Sequence, residues 1–398
     1  MTRPVLPDPI EVRYGYHFQD LRTGTPQGRL PLLGVRDSIT LGGSAGALTG
    51  KINVSDPAIR ALKPWQIAVP RRTAMFVRRV EVYPPNTLPP RETVDWGGIV
   101  WDLNPLAGTG HLEIKAATPE SYFASRYVDV DRNYPQTEQT TIHADLLTYF
   151  QGYKPGADIR VQATPIATGR LRNRSYLAKD RKEIATLLSQ LSEVIDGFDW
   201  WIQPYRNPAT GLFGFRVQYG YPRLGRTASS PAGPLRLRHL TAGGGNVVEP
   251  PTVLRQGTVV KNEGLGLGKS EGDDQVTVTV TGADLGRDEI AAGYPLLQFT
   301  RSDTDVSDPT TLRDNVATQM RKGWASEVVL TKVALAGTSR PTRADVNLGD
   351  DVSLYTDDAT WPAPVTLTGR VWAIETTRAN ANTAEKVELT LAGEGLTV

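Results

Sequence analysis

The clearest chemical pattern is Leu267-Gly268-Lys269-Ser270, which matches the end of a phosphate-binding loop. Such a loop needs another glycine five residues before Gly268, so that backbone amides can curl around the phosphates. Glu263 occupies that position, and its carboxylate would repel a phosphate group. An acidic stretch and an alternating strand pattern follow where the motif needs a helix. The sequence therefore predicts a hairpin here, not a nucleotide site.

The chain has few residues for cysteine or histidine chemistry. The chain has no cysteine, which excludes a thiol nucleophile, a disulfide framework and cysteine-ligated zinc. The four histidines are far apart in sequence, and none has another histidine at helical spacing; they are His17, His111, His143 and His239. His143 falls on the polar side of a predicted helix. We expect surface or structural histidines, no metal site and no cofactor.

Paired carboxylates are the remaining catalytic pattern. The candidate pairs are Asp129 with Asp131, Asp273 with Asp274, Asp350 with Asp351, and Asp357 with Asp358. General acid catalysis needs one carboxyl group in an apolar pocket that raises its pKa. All four pairs lie in polar, turn-like contexts, which favour solvated and ionised side chains. The chain matches Gly-x-Ser-x-Gly at 42–46 and at 268–272, but neither match precedes a predicted helix as a nucleophile elbow must, so we expect no enzyme activity.

Aromatic and basic residues are better candidates for contacts than for catalysis. Trp200 and Trp201 are neighbours on a predicted strand, so their side chains face opposite sides. One should pack on the preceding helix, and the other should reach a second interface. Trp65 lies close in sequence to Arg71 and Arg72, which makes an aromatic basic cluster, either a solvated face or a surface for an acidic partner. We take Trp65, Arg71, Arg72 and Trp201 as candidate partner-contact residues.

The amino-acid composition indicates what kind of secondary structure positions these side chains. The 398 residues include 38 glycines and 29 prolines, which favours many turns and short strands. The formal net charge of +1 argues against wholesale polyanion binding. No run of 18 apolar residues occurs, and the first residues lack the apolar core of a signal peptide. We expect no membrane span and synthesis in a cytosol.

Periodicity divides the first part of the chain into two units. Residues 1–116 are β-rich, with Val12, Tyr14, Tyr16 and Phe18 alternating with polar residues. Residues 117–230 read as an α+β unit. Its strongest helix is predicted over 180–197, with Asp180 and Glu183 as a capping box and Gly197 as a left-handed C-cap. A hairpin that contains Trp200 and Trp201 follows this helix.

A second β-rich unit follows the Pro- and Gly-rich linker at 226–234. We assign residues 231–285 and 330–398 to it. A small helical insertion at 286–329 interrupts it, and Asp308 before Pro309 is the predicted N-cap of its helix. The expected fold is mainly β with an α+β insert.

The order of these elements resembles the tail-hub proteins of long-tailed phages, also called minor tail or baseplate-hub proteins. The resemblance is strongest to the versions from siphophages of actinobacteria. It rests on a helix that runs through Gly197-Phe198-Asp199-Trp200 into a strand and on several strand motifs. These motifs are Gly50–Val54, Leu112–Arg126, Gly349–Leu354, Arg370–Ile374 and Val387–Leu391.

The resemblance implies a structural role rather than catalysis. It implies two β-barrel domains, each similar to a tail-tube subunit, and a homotrimer whose six barrels form a ring. Such a ring would contact the tail tube or distal tail protein, the tape-measure protein, and tail-tip or receptor-binding proteins. DNA would pass transiently through its lumen. The protein would be made in the host cytoplasm and end in the virion, at the tail tip.

Two alternatives remain open at this point. The chain could be a carbohydrate-binding or polysaccharide-depolymerising tail protein, with Asp199 beside Trp200 and Trp361 near Asp357 lining a groove. It could also be the hub of a contractile injection machine. The first alternative requires a carboxylate that is free to act on a sugar.

Overall fold

The structure is a computed structural model that describes residues 7–271, 274–304, 306–325, 327–361, 363–379 and 384–392. It confirms the expected fold, which is mainly β with an inserted α+β unit. Thirteen of the strands in these ranges form one large sheet, which carries both β-rich regions.

The first β-rich region contributes seven antiparallel strands in the order β3-β4-β7-β6-β5-β1-β2. Tyr16 and Phe18 of the first strand point inward, as the alternation predicts. Two short helices lie between β4 and β5, and Asp56 caps the first of them by accepting a hydrogen bond from the Ala58 amide. The elements are β1 (Glu11–Asp20), β2 (Pro26–Arg29), β3 (Leu33–Thr40), β4 (Ala47–Asn53), α1 (Pro57–Ala61), α2 (Pro64–Ile67), β5 (Thr73–Val82), β6 (Arg91–Leu106) and β7 (His111–Ala117).

The α+β unit has its own core, built from two helices packed on a hairpin. Its longest helix, α4, buries Ile142, Leu146, Leu147 and Phe150, which recur at helical spacing. The elements are α3 (Glu120–Phe123), β8 (Arg132–Glu138), α4 (Gln139–Gly152), β9 (Val161–Gln162), β10 (Leu171–Tyr176), α5 (Ile184–Ser192), β11 (Asp199–Arg206) and β12 (Phe213–Gly220).

Helix α5 is shorter than its sequence pattern predicts. It begins at Ile184, because Asp180 ends a separate 3-10 turn and Glu183 is the N-cap residue. Glu183 makes no side-chain capping bond, so the predicted capping box is wrong. The left-handed residue after the helix is Asp196, with φ of 52°, and not Gly197.

The second β-rich region closes on itself through a short bridge. Its strands run β13-β19-β20-β21-β18, and Val247 bridges Leu335 of β18 while donating its amide to Arg238 of β13. The last strand of the path, β14, pairs with the beginning of β18. The elements between residues 235 and 392 are β13 (Leu235–His239), β14 (Thr252–Arg255), β15 (Glu263–Glu271), β16 (Asp274–Thr281), β17 (Gln298–Ser302), α6 (Pro309–Ala325), β18 (Val328–Ala336), β19 (Asp351–Thr356), β20 (Val365–Thr377) and β21 (Lys386–Ala392).

The insertion in this region differs from the expected one. Strands β15 and β16, which the sequence assigned to the second β-rich unit at 231–285, form a separate sheet with β17. Helix α6 covers this sheet, and Val280, Val316 and Met320 form its small core. The valines of β16 alternate as in any half-buried strand, so periodicity alone could not tell which sheet they join. Asp308 does cap α6 by accepting from the Thr311 amide at 2.8 Å.

The two β-rich regions meet through β3 and β20, which pair antiparallel over Arg36–Thr40 and Ala373–Thr377. One hydrophobic core runs beneath both regions, with residues such as Ile39, Trp96, Val371 and Ile374. The two β-rich regions are therefore parts of one continuous body. No helix within the described ranges is long and apolar enough to cross a membrane.

Candidate functional site

A buried ionic junction holds the two β-rich regions together beneath the β3–β20 pairing. Arg378, just after β20, is 1% exposed and lies between two carboxylates of the first region. Its Nε and Nη2 donate to Asp37 of β3 at 2.7 and 2.9 Å, and its Nη1 donates to Asp95 of β6 at 2.7 Å. Burial alone would raise the pKa of Asp95, but Arg378, Arg343 and Arg79 outweigh it and lower that pKa to about 2. Burial raises the pKa of Asp37, although Arg378 opposes that shift. Arg378 and Asp95 are therefore both charged at neutral pH.

A second buried cluster extends the junction along β5. Arg79 donates through Nε to Glu81 at 3.2 Å and through Nη2 to the Gly337 carbonyl at 3.1 Å, and it pairs through Nη1 with Glu385. Tyr14 of β1 also donates to Glu385, whose pKa burial raises despite the nearby arginines. Gly337 and Glu385 belong to the second region, so this cluster also spans both regions.

A third contact set, which we call the clasp, ties residues 223–228 to residues 349–351. Asp350 is buried and accepts from the Arg226 amide at 2.8 Å and from its guanidinium at 3.0 Å. Asp351 pairs with Arg223 and accepts from the Ala228 amide at 2.8 Å. The exit of the α+β unit is thereby fixed to the turn before β19.

Two glycines make this close approach possible. Gly225 and Gly349 both have φ near 85°, in the region that favours glycine. A Cβ on Gly349 would lie 2.6 Å from the Leu224 carbonyl oxygen, closer than side chains are found. Asp199 completes the clasp by accepting from the Leu224 amide at 2.7 Å and pairing with Arg370 of β20.

The three predicted contact residues in the first region lie on α2 and on the connection that leads from it to β5. Trp65 of α2 is 49% exposed. Arg71 and Arg72 are exposed at the turn before β5, where Arg72 donates to Asp20 at 3.2 Å. This connection offers an aromatic ring and two cations to solvent, and the assignment of a partner to it stays a prediction.

The two tryptophans face opposite sides, as the alternation predicts. Trp200 is buried in the α+β core and donates its indole N–H to Ser192 of α5 at 3.1 Å, so one tryptophan does pack on the preceding helix. Trp201 is half-buried against the core of the large sheet. The second interface of the tryptophan pair is thus made within the chain, and Trp201 as a partner-contact residue stays a prediction.

The carboxylates that could act on a sugar are held in structural contacts. Asp199 pairs with Arg370 in the clasp, and Asp357 accepts from the Thr241 amide at 2.7 Å. Hydrogen bonds from Thr241 lower the pKa of Asp357, and those from Thr360 lower the pKa of Asp358. A general acid needs the opposite shift. The pair Asp350 and Asp351 is not the solvated pair that its turn-like sequence predicted.

The phosphate-loop and histidine candidates have structural roles in the fold. Lys269 and Ser270 lie in strand β15, where the phosphate-loop motif would need a loop and a helix. His143 is fully buried, against the prediction of a polar helix face, and its Nδ1 lies 2.8 Å from the Tyr219 hydroxyl. Within the described ranges, no three His, Asp or Glu side chains cluster closely enough to hold a metal ion. Asp273 lies outside those ranges.

The chain is similar in fold, from end to end, to solved tail proteins. The tail protein of Neisseria meningitidis MC58 superposes with a TM-score of 0.58 at 13% identity, over 96% of this chain and 98% of that one. The prophage MuSo2 43 kDa tail protein from Shewanella oneidensis gives 0.53 at 10% identity, over 95% and 98%. The prophage tail protein gp18 from Listeria monocytogenes EGD-e gives 0.50 at 11% identity, over 96% and 95%. No family model and no curated protein matches the sequence.

The contacts of the ionic junction could not be predicted from the sequence. Arg378 is separated by 341 residues from Asp37 and by 283 residues from Asp95. No local spacing carries a signal for such a contact. The clasp is a partial exception, because Gly349-Asp350-Asp351 belongs to the motifs that carry the family resemblance, although its role was not apparent from the sequence.

Proposed function

We propose that this protein is a structural tail-hub protein of a long-tailed phage, of the kind found in siphophages of actinobacteria. The observation that carries the proposal is the fold similarity to three solved tail proteins over almost the whole length of each chain. In this role the chain forms a homotrimeric ring that joins the tail tube to the tail tip and lets DNA pass. The protein belongs to the virion, at the tail tip.

The rigidity of the large sheet supports a ring of this kind. Because β3 and β20 pair and the ionic junction lies beneath them, the two β-rich regions keep a fixed mutual orientation. Three copies would place six such regions around an axis, and cyclic closure requires each copy to present two different surfaces at a constant angle.

In this proposal, one end of the large sheet faces a neighbouring copy. Strand β2 contains Pro26 and is covered by α2, both of which protect an edge from pairing. Strand β14 at the other end pairs only with β18 among the described strands. Leu254 on β14 is 42% exposed and nearby Val248 is 53% exposed. We assign the β14 edge to the contact between subunits.

The exposed connection at Trp65, Arg71 and Arg72 serves in this proposal as a contact for neighbouring tail proteins. Its partners are the distal tail protein or tail tube, the tape-measure protein, and tail-tip or receptor-binding proteins. The formal net charge of +1 fits a lumen that lets DNA slide rather than adhere.

Light scattering on the purified full chain tests the subunit contact. We expect a mass of three times the 43.4 kDa chain, reduced to a single chain by Leu254→Lys, because a lysine on an edge strand opposes strand pairing. Leu171→Lys is the matched control, since Leu171 is also an exposed leucine, 56% exposed, but lies on β10 of the α+β unit. A trimer that survives Leu254→Lys would overturn the edge assignment. A wild-type chain that stays monomeric at every concentration, also in the presence of the tail tube, would contradict the trimer.

A further inference from the structure

A cleft lies where the three parts of the chain meet. Strand β11 and the turn after it form one side, β5 and β6 form the second, and residues 343–348 form the third. Its volume is about 400 Å³, within the usual range for sites that bind small ligands or single side chains. The ionic junction and the clasp hold its walls in place.

The walls combine an apolar lining with a basic rim. Trp201 and Leu348 are among the apolar lining residues. At the rim, the Glu92 carboxylate accepts from Arg78 Nε at 3.0 Å, and Arg206 Nη1 lies 3.5 Å from Glu92. Two guanidinium groups therefore share one carboxylate, which leaves one positive charge unmatched at the mouth of the cleft.

The inner wall holds a donor without an acceptor. Arg343 is 7% exposed and donates through Nη1 to the Val346 carbonyl at 3.0 Å and through Nη2 to the Asp95 carbonyl at 3.2 Å. Its Nε–H has no acceptor in the part of the chain that the structure describes. The Asp95 carboxylate is already engaged by Arg378. Buried donors in proteins are nearly always satisfied by protein, water or a ligand, so this Nε–H can take an acceptor that enters the cleft.

A neighbouring hollow of about 380 Å³ extends the basic surface of the cleft. It shares Arg78 and Arg206 with the cleft and is also lined by Arg29 and His17. Burial, together with these three arginines, lowers the pKa of His17 to about 4. Burial disfavours charge of either sign, and only the part of this shift that comes from the arginines reflects a positive field that favours an anion.

We propose that this cleft binds an acidic peptide segment of a partner protein, with a glutamate or aspartate carboxylate at Arg206 and Arg343 and an adjacent apolar side chain against Trp201. The apolar lining suits the side chain, and the unmatched charge together with the free Nε–H suits the carboxylate. This inference goes beyond the proposed hub function and does not require the trimer.

Peptide binding to the full-length protein tests the proposal. The probes are acetyl-Tyr-Glu-amide and its neutral analogue acetyl-Tyr-Gln-amide, followed by saturation-transfer NMR at low ionic strength. We expect the acidic peptide to bind about tenfold more tightly, as for a charge-assisted hydrogen bond. Arg206→Gln should remove this preference, while the weaker apolar contribution to binding persists.

Arg170→Gln is the matched control. Arg170 and Arg206 each have side chains 48% exposed, each makes one ion pair, and both lie in the α+β unit, but Arg170 lies away from the cleft. The acidic preference should survive Arg170→Gln. The proposal would be overturned if the two peptides bound equally, or if neither bound at about 10 mM. It would also be overturned if Arg206→Gln and Arg170→Gln reduced the preference for the acidic peptide equally. Full displacement of the acidic peptide by a short oligothymidylate would overturn it in favour of nucleic acid.

Discussion

Arg378 is the side chain on which the junction of the two β-rich regions depends most directly. Replacement by methionine would leave Asp37 and Asp95 buried without their cation. We expect Arg378→Met to lower the free energy of unfolding by about 3–5 kcal/mol, the usual cost of breaking a buried ion pair from one side. Urea denaturation of both proteins measures this difference.

The control for this substitution is Arg36→Met. Arg36 pairs with Glu375, but its side chain is 60% exposed, so solvent screens the interaction. We expect a change of at most about 1 kcal/mol. A similar loss of unfolding free energy in the two variants would show that the buried ion pairs stabilise the fold no more than an exposed pair does.

His143 gives a pH prediction at the same scale. Burial lowers its pKa to about 3, whereas the unfolded chain binds the proton near pH 6.5. Its contribution to stability is therefore complete above pH 6.5 and declines as the pH falls towards 3, by about 1.4 kcal/mol per pH unit. Subtracting the pH dependence of His143→Leu from that of the wild type, by urea denaturation at pH 7 and pH 5, isolates this slope.

His111→Gln at the start of β7 serves as the comparison for the loss of a histidine. Equal slopes in all three proteins would contradict the buried, neutral state of His143. The sequence analysis placed His143 on a polar helix face because it lies outside the apolar stripe that begins at Ile142. The aromatic neighbours that bury it, Trp200 and Tyr219, come from the distant hairpin, and no helical pattern contains them.

At the scale of elements, the clasp depends on two turns that touch through their glycines. Gly349→Ala adds a Cβ both at positive φ and 2.6 Å from the Leu224 carbonyl oxygen. Gly243→Ala adds a Cβ at the same φ of 85° with nothing within 4 Å. Gly243→Ala therefore measures the backbone strain alone, about 1–2 kcal/mol. The additional loss of stability in Gly349→Ala measures the steric clash with Leu224.

We expect Gly349→Ala to release the clasp and Gly243→Ala to leave it closed. Hydrogen exchange over residues 223–228 measures this, because the Arg226 and Ala228 amides are held by Asp350 and Asp351. Faster exchange of these amides in Gly349→Ala alone is the expected result. Equal exchange in the two variants would mean that the close approach is not what keeps the clasp closed.

Elements with a strong local period were predictable, and their partners were not. The alternation of β1, the helical spacing of α4 and the Asp-Pro starts of α1 and α6 all have a local physical cause. The start of α5 and the sheet that β16 joins depend on contacts with distant segments. For the same reason the sequence offered Trp65, Arg71, Arg72 and Trp201 as contact residues but gave no sign of Arg343 or Arg378.

On the scale of the whole molecule, one continuous sheet and one shared core make the two β-rich regions a single rigid body. The sequence predicted two β-rich regions and an insert, but not their fusion, because β3 and β20 lie more than 300 residues apart. A rigid body of this kind suits an assembly that transmits a fixed geometry between neighbouring proteins. In the proposed ring, three such bodies are related by three-fold symmetry.

Electron microscopy of the concentrated full-length protein tests that claim most directly. The account predicts class averages with a three-fold ring and a central hole, with each copy contributing two β-rich regions to the wall. Single copies without a ring at every concentration, also in the presence of the tail tube, would contradict it.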